Sequence, residues 1–140
     1  MKVGEHDFEV EEPDLVVARI RGEIFTADAQ VMGRTMKAQA GGGSVFVLSS
    51  PARGDVVMGA AARKRFIAEI GGVSRIVNAV VRAKFSLRVL GQLVATATRA
   101  LARSGFDMAF FDDERSARAW LRDRGCVACG APPGPLRNDP

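Results

Sequence analysis

The sequence contains no tyrosine, one histidine and one tryptophan, and its eight phenylalanines are spread over 140 residues. Proteins that bind single-stranded nucleic acid stack the bases on aromatic side chains that lie beside basic residues. Around the basic segment "ARKRF", residues 62–66, only Phe66 and Phe85 could provide such stacking. We therefore predict that the protein does not bind nucleic acid.

Histidine and cysteine are too scarce for most catalytic and metal sites. His6, the only histidine, lies in an acidic leading strand and is expected to face solvent. Cys126 and Cys129 form a Cys-x-x-Cys pair, which could be a redox pair or half of a zinc site shared by two chains. The pair follows the last predicted helix in a Gly/Pro-rich segment, so we interpret it as having neither role. Because the sequence also lacks a Ser/His/Asp set and a nucleotide-binding loop, we predict no enzymatic activity, metal or cofactor.

The N-terminal segment does not resemble a signal peptide. Residues 1–14 carry six acids and one lysine, without an apolar stretch behind a positive start. The two cysteines lie close together near the end of the sequence, which suits a reduced, intracellular protein better than a disulfide scaffold. We therefore expect a cytoplasmic protein, with one domain over residues 1–124 and a flexible Gly/Pro-rich tail over residues 125–140.

The most apolar stretch, residues 80–101, reads "VVRAKFSLRVLGQLVATATRAL". Four cations interrupt it: Arg82, Lys84, Arg88 and Arg99. Each would cost about 2.5 to 3.5 kcal/mol at the centre of a membrane, so we predict no transmembrane segment. The spacing instead predicts a helix over residues 84–103.

Strand and helix patterns alternate along the chain in the order β-β-α-β-α-β-α-β-α. The first two strands flank a turn at residues 12–14, "SVFVLSS" is a buried strand, and "PARGDVV" is expected to be a loop. The last helix is expected to be capped by Asp112 or Asp113 and to bury Trp120 as a core anchor. This order predicts an α/β fold with a single mixed, largely parallel, five-stranded sheet flanked by helices.

The helix over residues 84–103 has more apolar residues than one sheet face can cover. We expect one set at helical spacing to pack on the sheet: Phe85, Val89, Leu93, Ala97, Ala100 and Leu101. Leu87, Leu90 and Val94 then lie beside this set. They could contact neighbouring helices, form a self-association surface, or line a lipid-contacting groove. We predict that these three residues form a self-association surface and that the protein is a homodimer.

Basic residues cluster in the middle of the chain. A patch that could attract an anionic partner consists of Arg53, Arg63, Lys64, Arg65 and Lys84. The simpler interpretation is that these side chains form solvated helix faces.

Three segments carry a family resemblance: "VFVLSSPARGDVVMGAAARKRF", "AKFSLRVLGQLVATATRAL" and "FFDDERSARAWL". Over residues 5–124 the chain resembles the STAS-like, SpoIIAA-like domain proteins of bacteria, in their uncharacterised branch. The resemblance implies a small sheet packed with helices that works by binding. The best-known relatives are anti-sigma factor antagonists, which bind a partner kinase and are switched by phosphorylation of a serine.

In that family the serine lies in an Asp-Ser-Ser/Thr-Gly pattern that opens the helix after the central strand. Here Gly59 stands at the Asp position and Ala60 near the serine. Alanine has no hydroxyl to phosphorylate, so we predict that this switch is absent, with Ser49 and Ser50 as the nearby candidates for modification. We expect a non-catalytic module that regulates through protein contacts. The alternative is a carrier or sensor of a lipid or other small apolar ligand, since the family's fold resembles the lipid-carrying Sec14-type domains.

Overall fold

The computed structural model describes residues 1–102 and 104–130, without the side chains of residues 52–55 and 86. It contains one six-stranded sheet with helices on both faces. The strands are β1 (Lys2–Val3), β2 (His6–Glu11), β3 (Leu15–Ile24), β4 (Ser44–Met58), β5 (Arg75–Val81) and β6 (Gly105–Phe111). The helices are α1 (Thr26–Ala40), α2 (Ala60–Glu69), α3 (Phe85–Ala97), a π-helical turn (Thr98–Ala102), α4 (Glu114–Asp123) and α5 (Val127–Gly130).

The strands are arranged in the sheet in the order in which they occur along the chain. β1, β2 and β3 pair antiparallel, and β3, β4, β5 and β6 pair parallel. The predicted α/β class and mixed, largely parallel sheet are confirmed. The predicted count of five strands is wrong, because Lys2–Val3 adds a strand at the edge beside β2. Two residues are too few to show the alternation by which a strand is recognised in a sequence.

β4 is longer than expected. The segment "PARGDVV" is not a loop: β4 stays paired with β3 as far as Ile24 and Met58, with register shifts after Ile20 and Arg21. Its pairing with β5 ends at Ser49. Beyond Ser49, β4 pairs with β3 but no longer with β5. Pro51 has no N–H group, and its absence costs no hydrogen bond to β5, because that pairing has already ended.

The parallel connections place three helices on one face of the sheet. The chain passes from β3 to β4, from β4 to β5 and from β5 to β6, and each time the new strand is added on the same side of the previous one. Because such crossovers are right-handed, successive steps in one direction put their helices on the same face. Residues of α1, α2 and α3 accordingly share the first core with the sheet residues beneath them.

The other face of the sheet is covered by α4 and α5. This second core contains Leu15, Phe46 and Val77 from the strands together with Ala117 and Leu121 from α4. The N-cap of α4 is Asp113, as predicted, and its carboxylate accepts the backbone N–H of Ser116 at 2.7 Å. Arg118 then ties α4 to β2 through two hydrogen bonds to the Glu11 carboxylate, of 3.0 and 3.1 Å.

Trp120 lies at the rim of the second core. It is partly buried, with its ring centroid 5.6 Å from that of Phe111 and the Arg124 guanidinium 4.4 Å from its centroid. Leu121 and Ala117 are completely buried instead. The expectation that Trp120 anchors the core is therefore only partly met, and Leu121 has that position.

The segment after α4 is docked on the sheet. The predicted flexible tail from residue 125 is wrong for residues 126–130, because Cys126 is 2% exposed in the second core and α5 follows it. The Asp14 carboxylate accepts the N–H groups of Val127 at 2.9 Å and Ala128 at 3.1 Å. Residues 131–140 lie outside the described part of the chain.

His6 is buried, so the prediction that it faces solvent is wrong. Its Nδ1 accepts the N–H of Arg21 at 2.9 Å, and its Nε2 lies 3.1 Å from the carbonyl oxygen of Glu23. A ring nitrogen that accepts carries no proton, so these contacts assign the proton to Nε2. His6 therefore joins the start of β2 to the end of β3, with Asp28 Oδ2 3.6 Å from Nε2.

These positions predict how two substitutions in α4 differ in cost. Leu121→Ala should lower the free energy of unfolding by about 2 to 5 kcal/mol, because it opens a cavity in the second core. Trp120→Ala should cost less, about 1 to 3 kcal/mol, because its ring is only partly buried. Urea unfolding of both variants measures the difference. A larger loss for Trp120→Ala would contradict this assignment of the core.

Candidate functional site

α3 has apolar residues on two opposite sides. Leu87 and Leu90 are partly buried against the first core, and Val94 is 9% exposed. The prediction that these three residues lie outside the core, as a self-association surface, is therefore wrong. They form the inner side of α3, which faces the sheet.

The outer side of α3 carries Phe85, Val89 and Leu93, so the prediction that these residues pack on the sheet is wrong. Phe85 is 80% exposed, Val89 45% and Leu93 54%. They are four residues apart, so they form one row along the helix. Leu101, in the π-helical turn, is 73% exposed. We call Phe85, Val89 and Leu93 the outer face.

Gly91 explains why α3 is turned in this way. A Cβ atom at this position would lie 2.5 Å from the Sδ of Met108 in β6. Only glycine allows so close an approach without displacing the methionine side chain. The side of the helix that holds Gly91 therefore faces the sheet, and the side that holds Arg88 and Gln92 faces outward.

The surroundings of the outer face are cationic. No aspartate or glutamate occurs between Arg82 and Arg99. Lys84 and Arg88 are exposed, and the Arg88 guanidinium lies 5.2 Å from the centroid of the Phe110 ring. This contact holds the Arg88 guanidinium against β6, and Arg88 also lines the surface groove that Phe85, Val89 and Leu93 form. The outer face thus combines apolar contact area with positive charge.

A small apolar cavity lies beneath α3. Its volume is about 120 Å³. It lies between the sheet and the three helices of the first core, and its lining includes Val47, Met58, Ile76, Leu90 and Val94. Most ligand pockets are larger, about 300 to 1,000 Å³, although a cavity of about 150 Å³ can hold benzene.

A polar pair interrupts the apolar lining of this cavity. The Ser49 hydroxyl donates a hydrogen bond of 2.9 Å to Oδ1 of Asn78. Ser49 and Ser50, the two candidates for modification, both line the cavity and are partly buried. The expectation that these serines end the strand is wrong, because β4 continues to Met58.

The proposed anionic-partner patch is not assembled as one free cluster. Arg63 donates a hydrogen bond of 2.7 Å to the carbonyl of Met58, and Arg65 forms an ion pair of 3.3 Å with Glu69. Lys64 and Lys84 are exposed, on α2 and just before α3. The side chain of Arg53 lies outside the described part of the structure.

α2 begins at Ala60 with Gly59 as its N-cap. This is the place where the family resemblance puts a phosphorylatable serine. The N-cap makes no side-chain hydrogen bond, and the first turn contains no acid. The helix opening therefore has the expected position but neither a hydroxyl nor a carboxylate.

Two further findings apply to the described residues alone. Among them, no helix is both long and apolar enough to span a membrane. No group of three or more His, Cys, Asp or Glu side chains converges there as a set of metal ligands.

The two sides of α3 predict opposite responses to a charge at neighbouring positions. Val94→Glu should lower the free energy of unfolding by at least about 3 kcal/mol, because it buries an uncompensated carboxylate. Leu93→Glu should change it by less than about 0.5 kcal/mol, because the side chain reaches solvent. Denaturant titration compares the two variants. Similar losses for both would show that the faces of α3 are assigned incorrectly.

Comparison with protein-family models, with characterised proteins and with solved structures gave no match. The resemblance to STAS-like proteins thus depends on the three sequence segments alone.

Proposed function

We propose that this protein is a non-catalytic binding module of the STAS-like kind, which docks a protein partner on the outer face of α3. The observation that carries the proposal is the exposed row of Phe85, Val89 and Leu93. A helix that is apolar on both sides is normally covered on both sides. Here the sheet covers one side, and the other is left for a partner.

The outer face can supply the energy that such a contact needs. Fully burying a Phe, Val or Leu side chain is worth about 1.5 to 3 kcal/mol. Part of this gain would be offset by the entropy lost on association. An apolar row at four-residue spacing is also the arrangement by which helices and grooves recognise one another.

Charge determines which kind of partner fits. Arg82, Lys84, Arg88 and Arg99 are exposed, and no acid lies between the first and the last of them in the sequence. A second copy of the chain would bring cations against cations, which opposes the homodimer expected from the sequence. We propose instead a different protein, whose apolar groove has an acidic rim.

The resemblance supports a binding function. However, the serine whose phosphorylation controls binding in the resembled family has no counterpart at the start of α2. The best-known members of the resembled family bind a partner kinase and are switched by serine phosphorylation. Ala60 cannot be phosphorylated, and Ser49 is hydrogen-bonded to Asn78. In our proposal the contact through α3 therefore does not depend on a phosphoserine at the start of α2.

The test compares two valines that are similarly exposed on different helices. Val89 is 45% exposed on α3, and Val31 is 40% exposed on α1. A partner captured from cell extract by the wild-type chain would be purified and its affinity measured. Val89→Glu should weaken binding by at least about tenfold, since it places a carboxylate in the apolar contact and opposite the acidic rim. Val31→Glu should leave the affinity unchanged.

Sedimentation of the free chain separates this proposal from self-association. The wild-type chain should be monomeric at micromolar concentration. A wild-type dimer that Val89→Glu converts to a folded monomer would identify a second copy as the occupant of the outer face. Equal binding of the partner by wild type and Val89→Glu would show that the partner docks elsewhere.

The second candidate function is the binding of a small apolar ligand, which the cavity beneath α3 favours. The lining is apolar except at Ser49, Ser50 and Asn78. An apolar site with a few polar groups that orient the ligand is typical of small-molecule pockets. With a volume of about 120 Å³, the cavity could take only a ligand about the size of one aromatic ring.

Benzene serves as the probe for this second function. If the cavity is a binding site, benzene should shift the methyl NMR signals of Leu90 and Val94, which line it. Val47→Leu, which adds a methylene to the cavity wall, should weaken the binding severalfold. The matched control is Val31→Leu on the outside of α1. No shift with benzene would exclude the cavity as a ligand site.

A further inference from the structure

The two cysteines form a close thiol pair on the face of the sheet opposite α3. The Sγ atoms of Cys126 and Cys129 are 2.8 Å apart, and both are free thiols. The Cys126 thiol donates to Cys129 Sγ, and the backbone N–H of Cys129 lies 3.3 Å from Cys126 Sγ. The pair is therefore held together by local hydrogen bonds as well as by its sequence spacing.

The surroundings of the two thiols differ. Cys126 is 2% exposed and belongs to the second core, whereas Cys129 is partly exposed at its edge. Asp14 Oδ1 lies 3.7 Å from the Cys126 sulfur. A reagent from solution would therefore reach Cys129 before Cys126.

The pKa values of the two thiols are shifted in opposite directions. The hydrogen bond from Cys126 lowers the pKa of Cys129, burial opposes this effect, and the Arg118 guanidinium adds to the lowering. The nearby Asp14 and Glu11 carboxylates oppose the lowering to a smaller extent. The pKa of Cys126 is raised by its hydrogen bond to Cys129 and by burial. A thiolate is the nucleophilic form of cysteine, so Cys129 is the more reactive of the pair.

We propose that Cys126 and Cys129 are a redox-sensitive dithiol that exchanges with small disulfides, with Cys129 as the attacking thiol and Cys126 as the resolving thiol. The Cys129 thiolate attacks one sulfur of a disulfide such as oxidised glutathione and releases one glutathione thiolate. Cys126 then loses its proton to solvent, attacks the Cys129 sulfur and expels the second glutathione. Two protein thiols are thereby oxidised to one disulfide, while one glutathione disulfide is reduced to two thiols.

The position of the pair gives the exchange a structural consequence. α5 is held to the turn between β2 and β3 by Asp14, which accepts two N–H groups of α5. A disulfide between Cys126 and Cys129 would close the turn that enters α5 while Cys126 stays in the second core. This reaction does not involve the outer face of α3, so its test is independent of the proposed partner.

The reduced, full-length chain is treated with excess oxidised glutathione at neutral pH and analysed by mass spectrometry. The wild-type chain should lose the mass of two hydrogen atoms and retain no glutathione. Cys126→Ser should retain one glutathione on Cys129, because the resolving thiol is absent. Cys129→Ser should react at least about tenfold more slowly than Cys126→Ser, since the remaining thiol is buried.

Alkylation of the reduced wild-type chain provides a measurement that needs no variant. Cys129 should be alkylated before Cys126, and its rate should reach half of its maximum at a lower pH than that of an ordinary exposed thiol. Three results would overturn the proposal: a lasting glutathione adduct on the wild-type chain, disulfide-linked dimers, or one zinc ion per two chains that protects both thiols. Equal alkylation rates of the two cysteines would overturn the assigned roles.

Discussion

The structure depends on one constraint: the parallel strands are all added in the same direction. Because each crossover is right-handed, α1, α2 and α3 must share one face of the sheet. α3 belongs to the last of these crossovers, and its contacts run to β4, β6 and the π-helical turn that follows it. Its outer side is thus left without a covering element among the described residues, which is the reason for the exposed apolar row on this helix.

The same constraint limits where a ligand can bind. In open parallel sheets, ligands bind where the strand order reverses and two crossovers diverge to opposite faces. Strands β3 to β6 contain no such reversal. The cavity between the sheet and the helices of the first core has a volume of about 120 Å³, which is small for a ligand site. Topology therefore favours the surface of α3 over the interior as the place where the protein makes contacts.

Much of the fold could be predicted because local patterns and global topology agree. The turn at residues 12–14, the buried strand that contains Phe46 and the cap at Asp113 all have strong local signals. The continuation of β4 could not be predicted in this way. Pro51 normally argues against a strand, and only the end of the β5 pairing at Ser49 makes it acceptable there.

Two side-chain positions, that of His6 and that of the apolar residues of α3, were predicted wrongly. In both cases the sequence contains a pattern that indicates the observed position. His6 and Phe8 alternate with Asp7, so they share the buried face of β2 although acids surround them. On α3, both the inner and the outer set follow helical spacing, so apolar periodicity cannot distinguish them. The positions of Arg88, Gln92 and Arg99 do distinguish the two sets. All three lie on one side of the helix, and that side must reach water.

We propose binding and redox chemistry on opposite faces of one sheet, and this separation bears on how binding could be controlled. The resemblance implies a switch at the opening of α2, where Gly59 and Ala60 offer no group to modify. The pair Cys126 and Cys129, for which we propose redox chemistry, lies across the sheet, next to α4 and the Asp14 turn. β4 contributes Val47 to the first core and Phe46 to the second, so the two faces share a strand. Because interiors are close-packed, a change in the second core has a rigid path toward the residues under α3. Coupling between the two sites is then measured as the difference in partner affinity between the dithiol and disulfide forms of the same chain.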